Sequence, residues 1–153
     1  MGFLDRLFGG NRARAEEAYQ AGVFSLQRDE PSHAWACFSR AAQLGLPEAH
    51  YQLGNMRLSG QGLPVDFSEA ARWFTLAAEN GIAEAQHNLA MLYQQGKGVA
   101  QDDAKAAEWC LKAAEQGSTR SAYELSILYR RGAGVREDKV EADKWYRFST
   151  DPR

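Results

Sequence analysis

Apolar and small residues recur along most of this chain at spacings of three and four, which is the period of an amphipathic helix. Segment 49–81 contains two such runs, made of Tyr51, Leu53, Gly54 and Leu58, then Ala70, Trp73, Phe74, Ala77 and Ala78. The same pattern returns without a gap in segment 85–117, and a third copy begins at Ser121. The copies follow each other at a shift of 36 residues, and repetition at a period of this length predicts a stack of helix pairs.

The two helical runs of each copy are separated by a loop with two glycines one residue apart, followed by an aspartate. The glycines suit a backbone with positive φ, and the aspartates suit the N-cap of the second helix. Glu69 and Glu141 are predicted to complete capping boxes, and Gly81 and Gly117 to end second helices in the left-handed conformation. The loop positions are Gly60, Gly62 and Asp66, then Gly96, Gly98 and Asp102, then Gly132, Gly134 and Asp138.

The motifs A-x-x-x-L-G, Y-x-x-G-x-G-V, D-x-x-x-A-x-x-W and A-A-x-x-G recur in phase from Pro47 onward. They resemble those of the Sel-one-like repeat family, a longer-looped relative of the tetratricopeptide repeat. The resemblance implies an all-α, right-handed α-solenoid of antiparallel helix pairs with eight repeat helices. Ala90 and Ser126 replace Gly54, and all three residues are small, as a close helix crossing requires.

The predicted organisation is one repeat domain preceded by a short segment. Residues 1–11 form an amphipathic segment with a glycine-rich joint, and residues 12–153 form the domain, with units 12–45, 46–81, 82–117 and 118–153. The first unit diverges, because its inter-helix loop QRDEP lacks the double glycine. Pro31 suits the first turn of the helix that follows.

Both ends of the chain carry apolar side chains whose role stays open. Phe3, Leu4, Leu7 and Phe8 lie at helical spacing and could cap the solenoid, dock on a membrane surface or enter a groove of a partner. Tyr146 and Phe148 lie on the last repeat helix, where a partner or a second copy in a homo-oligomer could cover them. Otherwise they remain an exposed patch.

Composition narrows the function classes. The 153 residues are 44% hydrophobic with a net charge of −2, and no basic stripe with interleaved aromatics predicts nucleic-acid binding. No apolar run approaches the roughly 20 residues of a membrane span, and Met1–Gly10 lacks signal-peptide features. Cys37 and Cys110 occupy second-helix positions two repeats apart, too far for a disulfide. We therefore expect free thiols and a cytoplasmic location.

No catalytic residue, cofactor or metal site is predicted. His33, His50 and His87 are taken as solitary, without other ligands at metal-binding spacing. Some cysteine-rich members of the resembled family have been linked to β-lactam hydrolysis. Their paired-cysteine pattern is missing here, so a hydrolase of that type is a remote alternative.

The predicted binding surface is the concave groove that first helices line in tetratricopeptide-like stacks. The candidate residues, placed by analogy with that geometry, are Tyr19, Tyr51, Asn55, His87, Asn88, Met91, Gln94, Tyr123, Ile127 and Arg130. Aromatic faces beside amides suit an extended peptide, although the tyrosines could instead serve repeat packing.

The predicted function is that of a non-catalytic adaptor or scaffold that binds a peptide or protein segment in signalling or complex assembly. The alternative is a peripheral membrane-associated assembly factor docked through residues 2–8.

Overall fold

The computed structural model describes the backbone of residues 3–151 and the side chains of residues 10–151. Over this part of the chain the regular secondary structure is helical throughout, which confirms the all-α prediction. The helices are α1 (Phe3–Gln27), α2 (Pro31–Gln43), α3 (Pro47–Ser59), α4 (Phe67–Glu79), α5 (Ala83–Gln95), α6 (Asp103–Glu115), α7 (Thr119–Arg131) and α8 (Lys139–Thr150).

The helices belong to two compact units, of which the first ends at Ala77 and the second begins at Ala78. In the first unit α1 packs on α2 and α2 on α3, and α3 meets α4 where the Phe74 ring lies against Gly54. In the second unit α5 packs on α6, α6 on α7 and α7 on α8. Contact between successive helices is the arrangement expected of helix-hairpin repeats.

Small side chains dominate the cores of both units. One core cluster of the first unit consists of Ala34, Phe38, Ala41, Ala42, Ala49, Leu53 and Met56. A cluster in the second unit consists of Ala90, Ala107, Cys110, Leu125 and Leu128. Alanine at so many buried positions lets neighbouring helices approach to about 8–10 Å.

The inter-helix loops follow the sequence prediction. The six paired loop glycines all have positive φ, between 63° and 73°. Gly81 and Gly117, which follow second helices, also have positive φ, at 87° and 98°. In the divergent first loop, Asp29 adopts φ 57°, because aspartate tolerates the left-handed region better than most residues with a side chain.

Aspartate caps the second helix of each of the three later helix pairs, as predicted. Asp66 Oδ1 accepts a hydrogen bond from the backbone N–H of Glu69 at 2.9 Å, and Asp102 Oδ1 accepts one from Lys105 at 3.0 Å. Asp138 Oδ1 accepts from both Val140 and Glu141. Each carboxylate therefore satisfies an N–H group that the helix itself leaves free.

The predicted capping boxes are wrong, because the backbone N–H of each capping aspartate already has another partner. Asp66 and Asp138 donate to the carbonyl oxygens of Arg57 and Tyr129, each at 3.0 Å. Glu69 instead pairs with Arg57 at 2.7 Å. Glu141 similarly pairs with Lys144, at 3.1 Å. The loop is thus tied to the preceding helix by its backbone.

The amino-terminal region differs from the predicted joint. Helix α1 runs without interruption from Phe3 through Gly10 into the first repeat. Glycine lowers helix stability by about 1 kcal/mol relative to alanine, but it keeps the N–H that continues the hydrogen-bond ladder. The side chains of Phe3, Leu4, Leu7 and Phe8, and therefore the predicted membrane contact, lie outside the described residues.

Among the described residues, no helix combines the length and the apolar character that crossing a membrane requires.

Candidate functional site

An open groove of about 550 Å³ lies in the second unit, between α5, α7 and α8. We refer to it as the α5–α7–α8 groove. Its lining residues are His87, Met91, Thr119, Arg120, Tyr123, Glu124, Tyr146, Ser149 and Thr150. Three predicted site residues are therefore brought together here, namely His87, Met91 and Tyr123.

Two tyrosine rings give this groove its apolar surface. Tyr123 on α7 is 46% exposed and Tyr146 on α8 is 45% exposed, and their ring centroids lie 6.3 Å apart. A tyrosine ring combines a flat apolar face with a polar tip, which suits a surface that alternates between water and a partner. Restricting the predicted groove to first helices left out Tyr146, which α8 places beside Tyr123.

His87 lies at the buried side of the groove, with only 7% of its surface exposed. Its Nδ1 is 2.9 Å from Ser121 Oγ, and Ser118 Oγ donates to Ser121 Oγ at 3.1 Å. Burial lowers the pKa of His87, and the positive charge of Arg120 lowers it further. The imidazole is thus neutral at pH 7.

Polar atoms of complementary kinds lie on the two walls of the groove. Arg120 on α7 is exposed and offers hydrogen-bond donors. On α8, Ser149 Oγ donates to the carbonyl of Tyr146 at 2.6 Å and Thr150 Oγ1 to that of Arg147 at 3.0 Å. Because those hydroxyl protons are used within the helix, the two oxygens remain available as acceptors.

Several predicted groove residues do not line this groove. Arg130 is exposed and forms an ion pair with Asp143 at 3.1 Å. Asn88, Gln94 and Ile127 are partly buried on α5 and α7. Their binding role stays a prediction.

Two predicted site residues of the first unit, Tyr19 and Tyr51, pack against neighbouring side chains. The Tyr19 ring lies 5.4 Å from that of Phe38, and its hydroxyl accepts a hydrogen bond from Gln52 Nε2 at 3.0 Å. The Tyr51 ring lies 6.1 Å from that of Phe74. Together with Asn55, both tyrosines are partly buried. Partner contact by these three residues stays a prediction.

His33 is not solitary, which corrects the expectation for this histidine. His33 Nδ1 lies 2.8 Å from Ser25 Oγ, and His33 Nε2 lies 3.9 Å from Cys37 Sγ. The spacing of four residues between His33 and Cys37 on one helix could have signalled this contact. Both cysteines of the chain are free, as predicted, with Cys37 partly exposed and Cys110 buried.

A metal site finds no support in the part of the chain that the structure describes. No group of three or more His, Cys, Asp and Glu side chains there is placed to hold an ion.

Comparison with known proteins places these features in a family. The family model of the Sel1 repeat matches residues 11–46, 47–82, 83–118 and 119–151. A search of curated proteins found no significant match.

Solved structures show the same fold. A protective antigen present in uropathogenic Escherichia coli strains, which displays an SLR fold, is 35% identical with a TM-score of 0.86 over 90% of this chain. A Sel1 repeat protein from Oxalobacter formigenes is 27% identical with a TM-score of 0.82 over 87% of this chain. The chain spans 30% and 55% of the lengths of these two structures.

A more distant match agrees in fold alone. The cysteine rich protein B of Helicobacter pylori is 20% identical with a TM-score of 0.56, and the alignment covers 70% of this chain and 91% of that one. The solenoid prediction is confirmed by these similarities together with the helices described above. With four matched repeats that cover most of its residues, the chain belongs to the Sel1 repeat family.

Proposed function

We propose that this chain is a non-catalytic protein-interaction module that holds a segment of another protein in the α5–α7–α8 groove. The observation that carries the proposal is the pair of exposed rings of Tyr123 and Tyr146, which form an apolar surface flanked by polar atoms. Proteins built from Sel1 repeats are generally protein-interaction scaffolds, and the family is generally non-catalytic.

The dimensions of the groove support a peptide segment as its occupant. A volume of about 550 Å³ falls within the roughly 300–1,000 Å³ of sites that take ligands of modest size. That is room for a few side chains of a partner rather than for a folded domain. Tyrosine is also among the residues that contribute most to binding at protein interfaces.

The polar atoms on the two walls support an extended conformation of that segment. An extended backbone exposes both N–H donors and carbonyl acceptors, so a surface that binds it must offer both kinds of partner. Arg120 supplies donors on α7, while the oxygens of Ser149 and Thr150 supply acceptors on α8. We propose a role in signalling or complex assembly, where such segments are commonly recognised.

The proposal is tested by affinity capture followed by direct binding measurements. A partner captured by the wild-type chain is identified and produced, and its affinity is measured for Tyr123→Ala and Arg120→Glu. Arg136→Glu is the matched control, because Arg136 is an exposed arginine of the same unit that does not line the groove.

A central tyrosine of an interface can contribute more than about 1.4 kcal/mol to the free energy of binding, and its truncation to alanine then weakens binding at least about tenfold. We expect Tyr123→Ala and Arg120→Glu to show such losses and Arg136→Glu to bind like the wild type. Equal affinities for all three variants would contradict a groove-based interaction.

Membrane docking through residues 2–8 remains the alternative proposal. Liposome sedimentation of the full chain and of a chain lacking residues 1–10 separates the two. Sedimentation that requires those residues, combined with groove variants that leave partner binding intact, would favour the membrane proposal.

A further inference from the structure

Ser25, His33 and Cys37 form a hydrogen-bonded chain between α1 and α2. Ser25 Oγ is 2.9 Å from the carbonyl oxygen of Ala21 and 2.8 Å from His33 Nδ1. His33 Nε2 is 3.9 Å from Cys37 Sγ. Ser25 is buried, with 2% of its surface exposed, whereas His33 is exposed and Cys37 partly exposed. This series of hydrogen bonds therefore leads from the interior of the protein to an accessible sulfur atom.

The hydrogen bonds assign the tautomer of His33. A carbonyl oxygen can only accept, so the Ser25 hydroxyl must donate its proton to Ala21. Ser25 Oγ then accepts from His33 Nδ1–H, which leaves Nε2 of the neutral ring as the unprotonated nitrogen. That nitrogen faces Cys37 Sγ and is placed to take the thiol proton. An orienting group, a base and a nucleophile are the parts of an activated-nucleophile arrangement.

The surroundings of Cys37 indicate the charge of its reaction partner. A groove of about 340 Å³ is lined by Arg14, Glu17, Ala18, Ala21, Cys37 and Arg40. Two guanidinium groups and one carboxylate leave this groove with an excess of positive charge. Because arginine binds carboxylates through paired hydrogen bonds, a small anionic molecule is favoured beside the sulfur atom.

We propose that Cys37 is a site of reversible S-thiolation by small anionic disulfides of the glutathione disulfide class. In the reaction His33 Nε2 takes the proton of the Cys37 thiol, and the thiolate attacks one sulfur of the disulfide. A new bond forms between Cys37 Sγ and that sulfur while the original S–S bond breaks. The other half leaves as a thiolate and takes the proton from His33. The disulfide is the oxidant, so electrons and atoms balance.

Cys110 provides an internal comparison within the same chain. It is fully buried, and burial, followed by the negative charge of Glu124, raises the pKa of its thiol to about 12. Since the thiolate is the reacting form, Cys110 should stay unmodified. Selective reaction at Cys37 therefore excludes unspecific oxidation of both thiols, and the variants of His33, Arg14 and Arg40 test the arrangement around Cys37.

The experiment treats the full chain with glutathione disulfide and follows the adduct by intact-protein mass spectrometry and peptide mapping. We expect one glutathionyl group, located on Cys37, in the wild type and in Cys110→Ser, and none in Cys37→Ser. In His33→Gln the Cys37 thiol loses the base that takes its proton, and an ordinary thiol is only a few per cent ionised at neutral pH. We therefore expect this variant to react about tenfold more slowly. Reaction at Cys110, or an unchanged rate in His33→Gln, would overturn the proposal.

A pH profile separates proton transfer from a structural role of His33. We expect the reaction of the wild type to depend less steeply on pH than that of His33→Gln, between about pH 6 and about pH 8. The charged groups that share the groove with the sulfur are Arg14, Glu17 and Arg40, and they are unchanged in this comparison. Parallel profiles for the two proteins would overturn the assigned role.

The charge preference is tested with cystamine, a small cationic disulfide. We expect the wild type to react faster with glutathione disulfide than with cystamine, and the preference to fall in Arg14→Gln/Arg40→Gln and at high salt. Circular dichroism confirms that each variant is folded. Equal or faster reaction of the wild type with cystamine would contradict the role given to the two arginines.

Discussion

The Phe74 ring lies directly over Gly54, so that a Cβ atom added at residue 54 would fall 2.6 Å from Cε1 of the ring. Gly22 has the same relationship to Phe38, at 2.7 Å. In the repeat where alanine replaces glycine, Ala90 belongs to the same core cluster as Cys110, which is much smaller than phenylalanine. In these three repeats, glycine therefore faces a phenylalanine ring, whereas alanine shares its cluster with the smaller cysteine.

We predict that Gly54→Ala destabilises the protein. An exposed glycine-to-alanine change in a helix usually gains up to about 1 kcal/mol, but the Phe74 ring that the added Cβ would meet is fully buried. Overpacking of this kind typically costs about 1–3 kcal/mol. Urea unfolding measures the change, and Gly10→Ala is the control, because an added Cβ there meets nothing within 4 Å. In a protein that also carries Phe74→Leu, Gly54→Ala should lose most of its destabilising effect. A Gly54→Ala protein more stable than the wild type would contradict this packing.

Asp102 is predicted to stabilise α6 through its cap. Asp102→Ala should lower the free energy of unfolding by about 1 kcal/mol, because the N–H of Lys105 loses its acceptor. Asp102→Asn keeps a side-chain oxygen in the same place and is expected to retain most of the stability. Denaturant unfolding of the two variants makes the comparison. Equal losses for Ala and Asn would mean that the hydrogen bond contributes little.

The loop glycines should differ in their tolerance of a side chain. Gly134 and Gly117 both have positive φ, but a Cβ at Gly134 would collide with the backbone of Asp103, whereas one at Gly117 meets nothing within 4 Å. Gly117→Ala therefore carries backbone strain alone, on the order of 1 kcal/mol, and Gly134→Ala adds a steric clash to it. Thermal unfolding should show the larger loss for Gly134→Ala. The opposite order would contradict the described loop.

Acidification is predicted to destabilise the protein through His50 and His87. Burial lowers the pKa of both below 6.5, and Arg120 lowers that of His87 further. At a pH between the lowered pKa of the folded state and the ordinary pKa of 6.5, the unfolded state therefore binds more protons than the folded state. The stability that is fully present above pH 6.5 is lost as the pH falls through this range. Urea unfolding between about pH 7.5 and about pH 5.5 should show a smaller loss in His50→Gln/His87→Gln. An NMR titration should show a higher pKa for His87 in Arg120→Gln, and an unchanged one would contradict the electrostatic contact.

The helices and loops could be predicted from the sequence because local rules determine them. The positive φ of Gly60 or Gly96 follows from a glycine in a repeated loop, and the cap at Asp102 from a carboxylate just before a helical run. The family itself followed from motifs that recur in phase.

The parts that could not be predicted depend on contacts between helices. Tyr146 reaches the groove because α8 packs on α7, and the repeat pattern alone marks it only as exposed. The capping boxes failed because Asp66 N–H bonds to Arg57 in the preceding helix. Ser25 meets His33 through packing of α1 on α2, which no local spacing reveals.

Site-specific photo-crosslinking tests the proposed binding surface most directly. A photoreactive phenylalanine derivative is placed at Tyr123, in the groove, and in a second protein at Glu108, an exposed residue of α6 outside it. If the groove holds a segment of the partner, the derivative at position 123 should crosslink to the captured partner and the one at 108 should not. Crosslinks from position 108 with none from 123, while the partner remains bound, would contradict the account.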